Sequence, residues 1–235
     1  MTNKFAQRSE EVEIMDDLEA GGPVMDQTLK ELDVINKWLG GNHVTIDGVK
    51  KLVGKSTESL TIVDLGCGSG DILKIIAQWA RSANINITLI GIDANPHVIA
   101  FAEKHAADYP EIEFRCINIF SEEFKKIEAD IFTATLFTHH FDGPELSGLI
   151  KQLNDQARLG VVINDIHRHW FAYYSIKWLT GLFSNSPMVR NDAAVSVLRA
   201  FKKHDLIKCL EVAEAPKYQI KWRWAFRWQV VIFRK

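Results

Sequence analysis

The chain has 235 residues, 47% of them hydrophobic and 25% charged, the composition of one ordinary globular domain with room for a small appendage. Lys plus Arg number 28 against 30 Asp plus Glu, and the resulting net charge of −2 excludes a polyanion binder working by bulk electrostatics. Three cysteines without metal-ligand spacing exclude a disulfide framework and suit a reducing, cytoplasmic setting, while no apolar run reaches the roughly 18 residues that would span a bilayer.

An acidic leader at 10–19 ends at the breaker Gly21, Gly22, Pro23. Leu29, Leu32, Ile35, Trp38 and Leu39 then recur at steps of three and four, which predicts a helix over 26–39 that Asp26 caps and Gly40 and Gly41 stop. A second short helix is expected at 45–53. From Leu60 onward, short apolar runs alternate with amphipathic stretches. Strands are predicted at 60–65, 85–92, 112–117, 130–136 and 159–164, with helices at 71–81, 96–107 and 144–157 and a short turn at 121–126. Continuous apolar strands separated by helices point to a parallel sheet covered on both faces. Two more helical patterns follow at 169–183 and 192–204, and the chain closes with 207–213 and 221–234. In the last run Trp222, Trp224, Phe226, Trp228 and Val230 alternate with mostly polar residues, the period of an antiparallel strand or hairpin with one buried face.

Chemistry gathers at the ends of these strands. The first opens into Asp64, Leu65, Gly66, Cys67, Gly68, Ser69, Gly70, where the glycines allow a sharp turn and close approach of backbone to a ligand. The phosphate-loop pattern is absent, and Asp71 stands where a dinucleotide fingerprint needs its last glycine. Asp64 suits a cationic ligand. Asp93, followed by Ala94, can accept from ribose hydroxyls at the second strand end, and Asn118 with Ile119 can face an adenine at the third.

The run VDLGCGSG and the acid at the next strand end resemble the class I S-adenosylmethionine-dependent methyltransferases over about residues 60–164. The resemblance implies a Rossmann-like α/β fold: a seven-stranded, mostly parallel sheet with an antiparallel last strand, helices on both faces, an N-terminal helical cap and an inserted helix after the fifth strand. It implies S-adenosylmethionine as cofactor, with Asp64, Gly66, Cys67, Gly68 and Gly70 around the methionine part, Asp93 and Ala94 on the ribose, and Asn118 and Ile119 on the adenine. Many members carry Asp where this chain has Asn118. The runs EIMDD, NKWLGG, NDIHRHWFAYY, PMVRND with SVLRAF, and FRWQVV are also similar to bacterial small-molecule methyltransferases encoded beside type III polyketide synthases. That likeness implies O-methylation of alkylated pyrones, resorcinols or related polyketides. The expected organisation is a helical cap over residues 1–58 and a cofactor-binding domain over 59–235 with a lid helix inserted at about 169–183.

Two histidine pairs stand at the same sheet edge: His139 and His140 after the fourth strand, His167 and His169 after the fifth. Their spacing is poor for a metal, and none is expected. A general base at His140, His167 or Asp165 competes with a purely structural role in capping strand ends and helix starts. The stretch 169–183 holds six aromatic residues besides His169, so Trp170, Phe171, Tyr174 and Trp178 are expected to wall an apolar acceptor, against the alternative of a bulky core helix. The expected activity is O-methylation of a hydroxylated apolar small molecule, with no nucleic-acid partner and no stable membrane insertion. C-methylation of a quinone-like ring and nucleic-acid or protein methylation are the rivals.

Overall fold

The computed structural model describes residues 4–54 and 58–234. Among these residues the sheet has seven strands in the order β3-β2-β1-β4-β5-β7-β6. The strands are β1 Leu60–Leu65, β2 Ile87–Asp93, β3 Ile112–Cys116, β4 Ala129–Thr135, β5 Ala157–Ile166, β6 Lys217–Arg223 and β7 Arg227–Phe233. The first five pair in parallel, and β7 runs antiparallel to both β5 and β6. Strand order reverses between β1 and β4, so a crevice opens there beyond the C-terminal strand ends.

Helices cover both faces. On one side α2 (Gly41–Val53), α3 (Asp71–Ser82) and α4 (Pro96–His105) lay Val49, Leu73, Ile76 and Ile99 on Ile62, Leu89 and Ile131. On the other, α5 (Gly143–Gln156) and α8 (Lys203–Val212) lay Leu146, Ile150 and Leu210 on Phe132, Val161 and Val230. Burial of these apolar side chains, each worth about 1.5–3 kcal/mol, dominates the stabilisation. Three further helices stand over the crevice: α1 (Gly22–Trp38), α6 (Trp170–Phe183) and α7 (Pro187–Arg199). Tyr173 and Ala172 of α6 pack on Val197 and Leu198 of α7, and Met25 and Leu29 of α1 on Val98 and Met188.

Several boundaries differ from the sequence expectation for visible reasons. Helix α1 begins at Gly22 rather than at Asp26, because Pro23 fits a first helical turn, where its missing N–H costs nothing. Helix α7 begins at Pro187, where the Ser186 hydroxyl accepts from the Val189 N–H. The run 207–213 is not a strand: Leu206, Cys209, Leu210 and Ala213 are buried at helical steps in and just after α8. Both closing strands come from the residues after it. Of the three tryptophans in that hairpin, Trp228 is buried while Trp222 and Trp224 are exposed, since β6 is an edge strand and 224–226 form the turn.

Candidate active site

A single cavity of about 620 Å³ lies at the crevice, bounded by the strand ends below and by α1, α6, α7 and the leader above. Asp64, Gly66, Cys67, Gly68, Asp93, Ala94, Asn118 and Ile119 all line it. Gly70 does not; it takes φ +76 as the residue before α3 and is crowded by Phe114, so its part is to turn the chain. Gly66, Gly68 and Gly70 all have positive φ. At Gly68 an added Cβ meets no protein atom within 4 Å, so it would enter the space of the cavity itself. At Gly66 it would stand 2.2 Å from the Phe137 ring. A nucleoside with a charged tail fits this cradle: a bare glycine loop, then a carboxylate, then an amide and an apolar side chain on successive strands.

The two carboxylates are electrically unusual. Asp64 is buried and accepts from the Thr133 hydroxyl at 2.6 Å, and burial, helped by the charge of Asp93, pushes its pKa up to about 7. Burial also raises Asp93, against the pull of backbone N–H donors at Asn95, Gly68 and Ala94. Both are acids short of cationic company in a pocket with room for a ligand.

At the acceptor side the leader supplies unforeseen groups. The His139 imidazole is buried, with Nδ1 2.8 Å from Asp165 Oδ1 and Nε2 3.4 Å from Glu13 Oε1. Burial opposes its charge, yet the two carboxylates outweigh burial and push its pKa up to about 10. Burial would likewise raise Asp165, but His139 and the Thr138 hydroxyl hold it below the usual carboxylate range. Next door, His140 Nδ1 lies 2.6 Å from Asp16 Oδ1, an ion-pair distance without linear hydrogen-bond alignment. Asp16 is bound in turn by the Arg199 guanidinium, which also donates to the His140 carbonyl at 2.7 Å. His139 and His140 line the cavity, as do Glu13 and Asp16.

Other expected residues stand elsewhere. Asp165 does not line the cavity and reaches it only through His139. His167 is outside the lining as well: it packs on the Trp228 ring at 4.9 Å and on His169, and burial with the neighbouring His169 charge pushes its pKa down to about 4. His169 caps α6, its Nδ1 accepting from the Phe171 N–H. Of the aromatic wall, Phe171 lines the cavity, but Trp170, Tyr174 and Trp178 do not and are 56%, 57% and 67% exposed. The cavity face of α6 is Phe171, Ala172, Ser175, Ile176 and Leu179, and its apolar character comes from aliphatic side chains more than from rings. The period of 169–183 identified the helix; with apolar residues all round, it could not say which face turned inward.

A family model described as a methyltransferase domain matches residues 56–178. The carboxy-S-adenosyl-L-methionine synthase of Helicobacter pylori strain J99 is 24% identical over 198 residues, which are 79% of this chain and 79% of that protein. Among solved structures, the plantazolicin methyltransferase BpumL, in complex with a monoazolic desmethylPZN analog and SAH, superposes with a TM-score of 0.65 at 17% identity, over 90% of this chain and 89% of that one. The magnesium protoporphyrin IX methyltransferase of Synechocystis PCC 6803 with bound SAH gives 0.55 at 16% identity, over 83% of each chain. These likenesses carry the fold.

Proposed function

The chain belongs to the family of methyltransferase domains, and from that premise we propose that it is an S-adenosylmethionine-dependent O-methyltransferase of a hydroxylated, apolar small molecule of the polyketide, pyrone or phenol kind. The observation that carries this reading is the continuity of the cavity: the glycine loop, Asp93 and Asn118 share it with the apolar face of α6 and with His140. Asp93 would hold the ribose, Asn118 and Ile119 the adenine, and the loop from Gly66 to Gly68 the methionine part. The sulfonium, when bound, supplies an already activated methyl group.

What remains for the protein is alignment, dryness and one proton. His140 Nε2 takes the proton of the acceptor hydroxyl, with Asp16 orienting the ring through Nδ1 and Arg199 holding Asp16. His139, held between the Asp165 and Glu13 carboxylates, ties the strand ends to the leader beside the proposed base. Apolar side chains of α1 and α6 exclude water and take the acceptor's body. The three cysteines are free, and no described helix is long and apolar enough to cross a membrane.

Incubation with methyl-labelled cofactor, cell extract and a panel of long-chain phenols and hydroxypyrones tests the reading. Label is expected on oxygen in the product's NMR spectrum. Label on ring carbon would replace O-methylation by C-methylation, and label confined to macromolecules would overturn the small-molecule assignment.

A further inference from the structure

Arg227, at the start of β7, lines the same cavity, and among the described residues it is the only Lys or Arg that does. Its side chain is buried. One nitrogen, Nη2, donates to Asn36 Oδ1 at 3.1 Å, while Nε and Nη1 have no hydrogen-bond partner among the described residues. No described carboxylate forms an ion pair with it; the nearest influence of opposite sign, Asp165, is already matched by His139. Burial pushes the pKa of Arg227 down to about 10, so it still carries its charge at neutral pH.

A buried, unmatched guanidinium with idle donors is costly, and proteins keep such a group where something else completes it. The fold makes room for this one: a Cβ at Gly41 would stand 2.6 Å from the guanidinium carbon. The same cavity is lined by Ile35 of α1, Leu39 just after it, Ile166 of β5 and Phe226.

We propose that Arg227 anchors an anionic oxygen of the methyl acceptor, so that the substrate is an amphipathic acid: a carboxylate or ionised enol on an apolar body. This rests on the acceptor occupying the cavity described above and narrows its chemical class. A charged guanidinium with two nitrogens that lack hydrogen-bond partners matches an oxyanion better than a neutral hydroxyl.

Probes of one chain length separate the head group from the chain. With S-adenosylhomocysteine saturating, dodecanoate and 1-dodecanol are titrated calorimetrically into the whole protein at pH 8, and a long-chain 4-hydroxy-2-pyrone tells enol from carboxylate. An acid is expected to bind about tenfold or more tighter than the alcohol. Arg227→Met should abolish that difference with S-adenosylhomocysteine affinity unchanged, and Gly41→Ala, which crowds the guanidinium, should shrink it. Equal binding of both acids and the alcohol to the unaltered protein overturns the proposal whatever the variants do, as does a preference that survives in Arg227→Met. Should Arg227→Met not fold, an undiminished preference in Gly41→Ala overturns it and a diminished one upholds it. Because S-adenosylhomocysteine binding and labelled transfer are read separately, failure here leaves the methyltransferase reading standing.

Discussion

At the scale of single residues, two carboxylates on adjacent strands line one cavity. With the ribose at Asp93 as proposed, a charge-assisted hydrogen bond there is worth about 1.5–3 kcal/mol, so Asp93→Ala should weaken cofactor binding by tenfold or more for each bond lost. Calorimetry on the folded variant reads it directly. Asp64 is the more informative acid, since its pKa in the free protein stands at about 7. A raised carboxyl pKa means the folded state holds the proton more tightly than the unfolded one, so Asp64 costs stability as pH climbs from about 4 to 7. Asp64→Asn keeps an acceptor for Thr133 and should therefore stabilise the ligand-free protein at pH 8, by up to roughly 4 kcal/mol, while weakening the cationic cofactor. In the unaltered protein, affinity for S-adenosylmethionine should fall between pH 8 and 6 more steeply than affinity for its neutral-sulfur product. Parallel slopes for the two ligands would show that Asp64 does not sense the sulfonium. His140→Ala should cut turnover by about 10²–10⁴-fold with S-adenosylhomocysteine binding intact, and Asp16→Asn should fall between it and the unaltered enzyme.

At the scale of elements, the strand ends are tied by a buried ion pair that spans β5 and the turn after β4. Asp165 accepts from the Thr138 hydroxyl, from the His139 N–H at 2.9 Å and from the His139 ring. Its depressed pKa contributes stability that is present above about pH 4 and lost as pH falls below it. The raised pKa of His139 contributes stability that is complete below about 6.5 and lost as pH rises through about 10. The melting temperature should therefore decline on both sides, and Asp165→Asn, which removes the nearer of the two carboxylates from a buried imidazolium, should cost roughly 3–5 kcal/mol and flatten the alkaline limb. These ties also show where sequence reasoning reached and where it stopped. Strand β1 appears with both ends in place because its short apolar run follows a polar stretch and opens directly into the glycine-rich turn. That the glycine loop, Asp93 and Asn118 share one cavity could be read from the sequence because each stands at or just past the C-terminal end of a strand. Glu13, Asp16 and Arg199 were not, since they lie more than 120 positions from His139 or about 60 from it, and no local period records a contact over that distance. Trp170, Tyr174 and Trp178 were misplaced by the same gap: α6 is apolar all round, and only its docking on α7 selects the inner face.

At the scale of the whole molecule, the acidic leader closes one side of the cavity with Glu13, Met15, Asp16 and Leu18. Its 3₁₀ turn, Ile14–Asp16, is held by Asp192, whose carboxylate accepts from the Ile14 and Met15 N–H groups at 2.9 and 3.0 Å. Arg8 donates to the His139 and Phe141 carbonyls, and Glu13 accepts from Ser196 while facing His139. Yet the leader buries little apolar area: Val12, Ile14 and Leu18 are exposed, and its hold is mostly polar. A segment with so little apolar burial is held by its polar and ionic contacts, and in the proposed reaction releasing them admits the acceptor and lets the product leave. If His140 is the base and Asp16 its orienting partner, as proposed, opening the leader also disarms the base. Deleting residues 1–20 should then spare cofactor binding, whose groups all lie on strand ends, and cut turnover by about the same 10²–10⁴-fold as His140→Ala. Adding His140→Ala to the deletion should cost little more, since the two changes remove one function. Hydrogen exchange should find the Ile14 and Met15 amides slowest when cofactor product and acceptor are both bound. Normal turnover by the truncated protein, or full additivity of the two changes, would separate the leader from the chemistry.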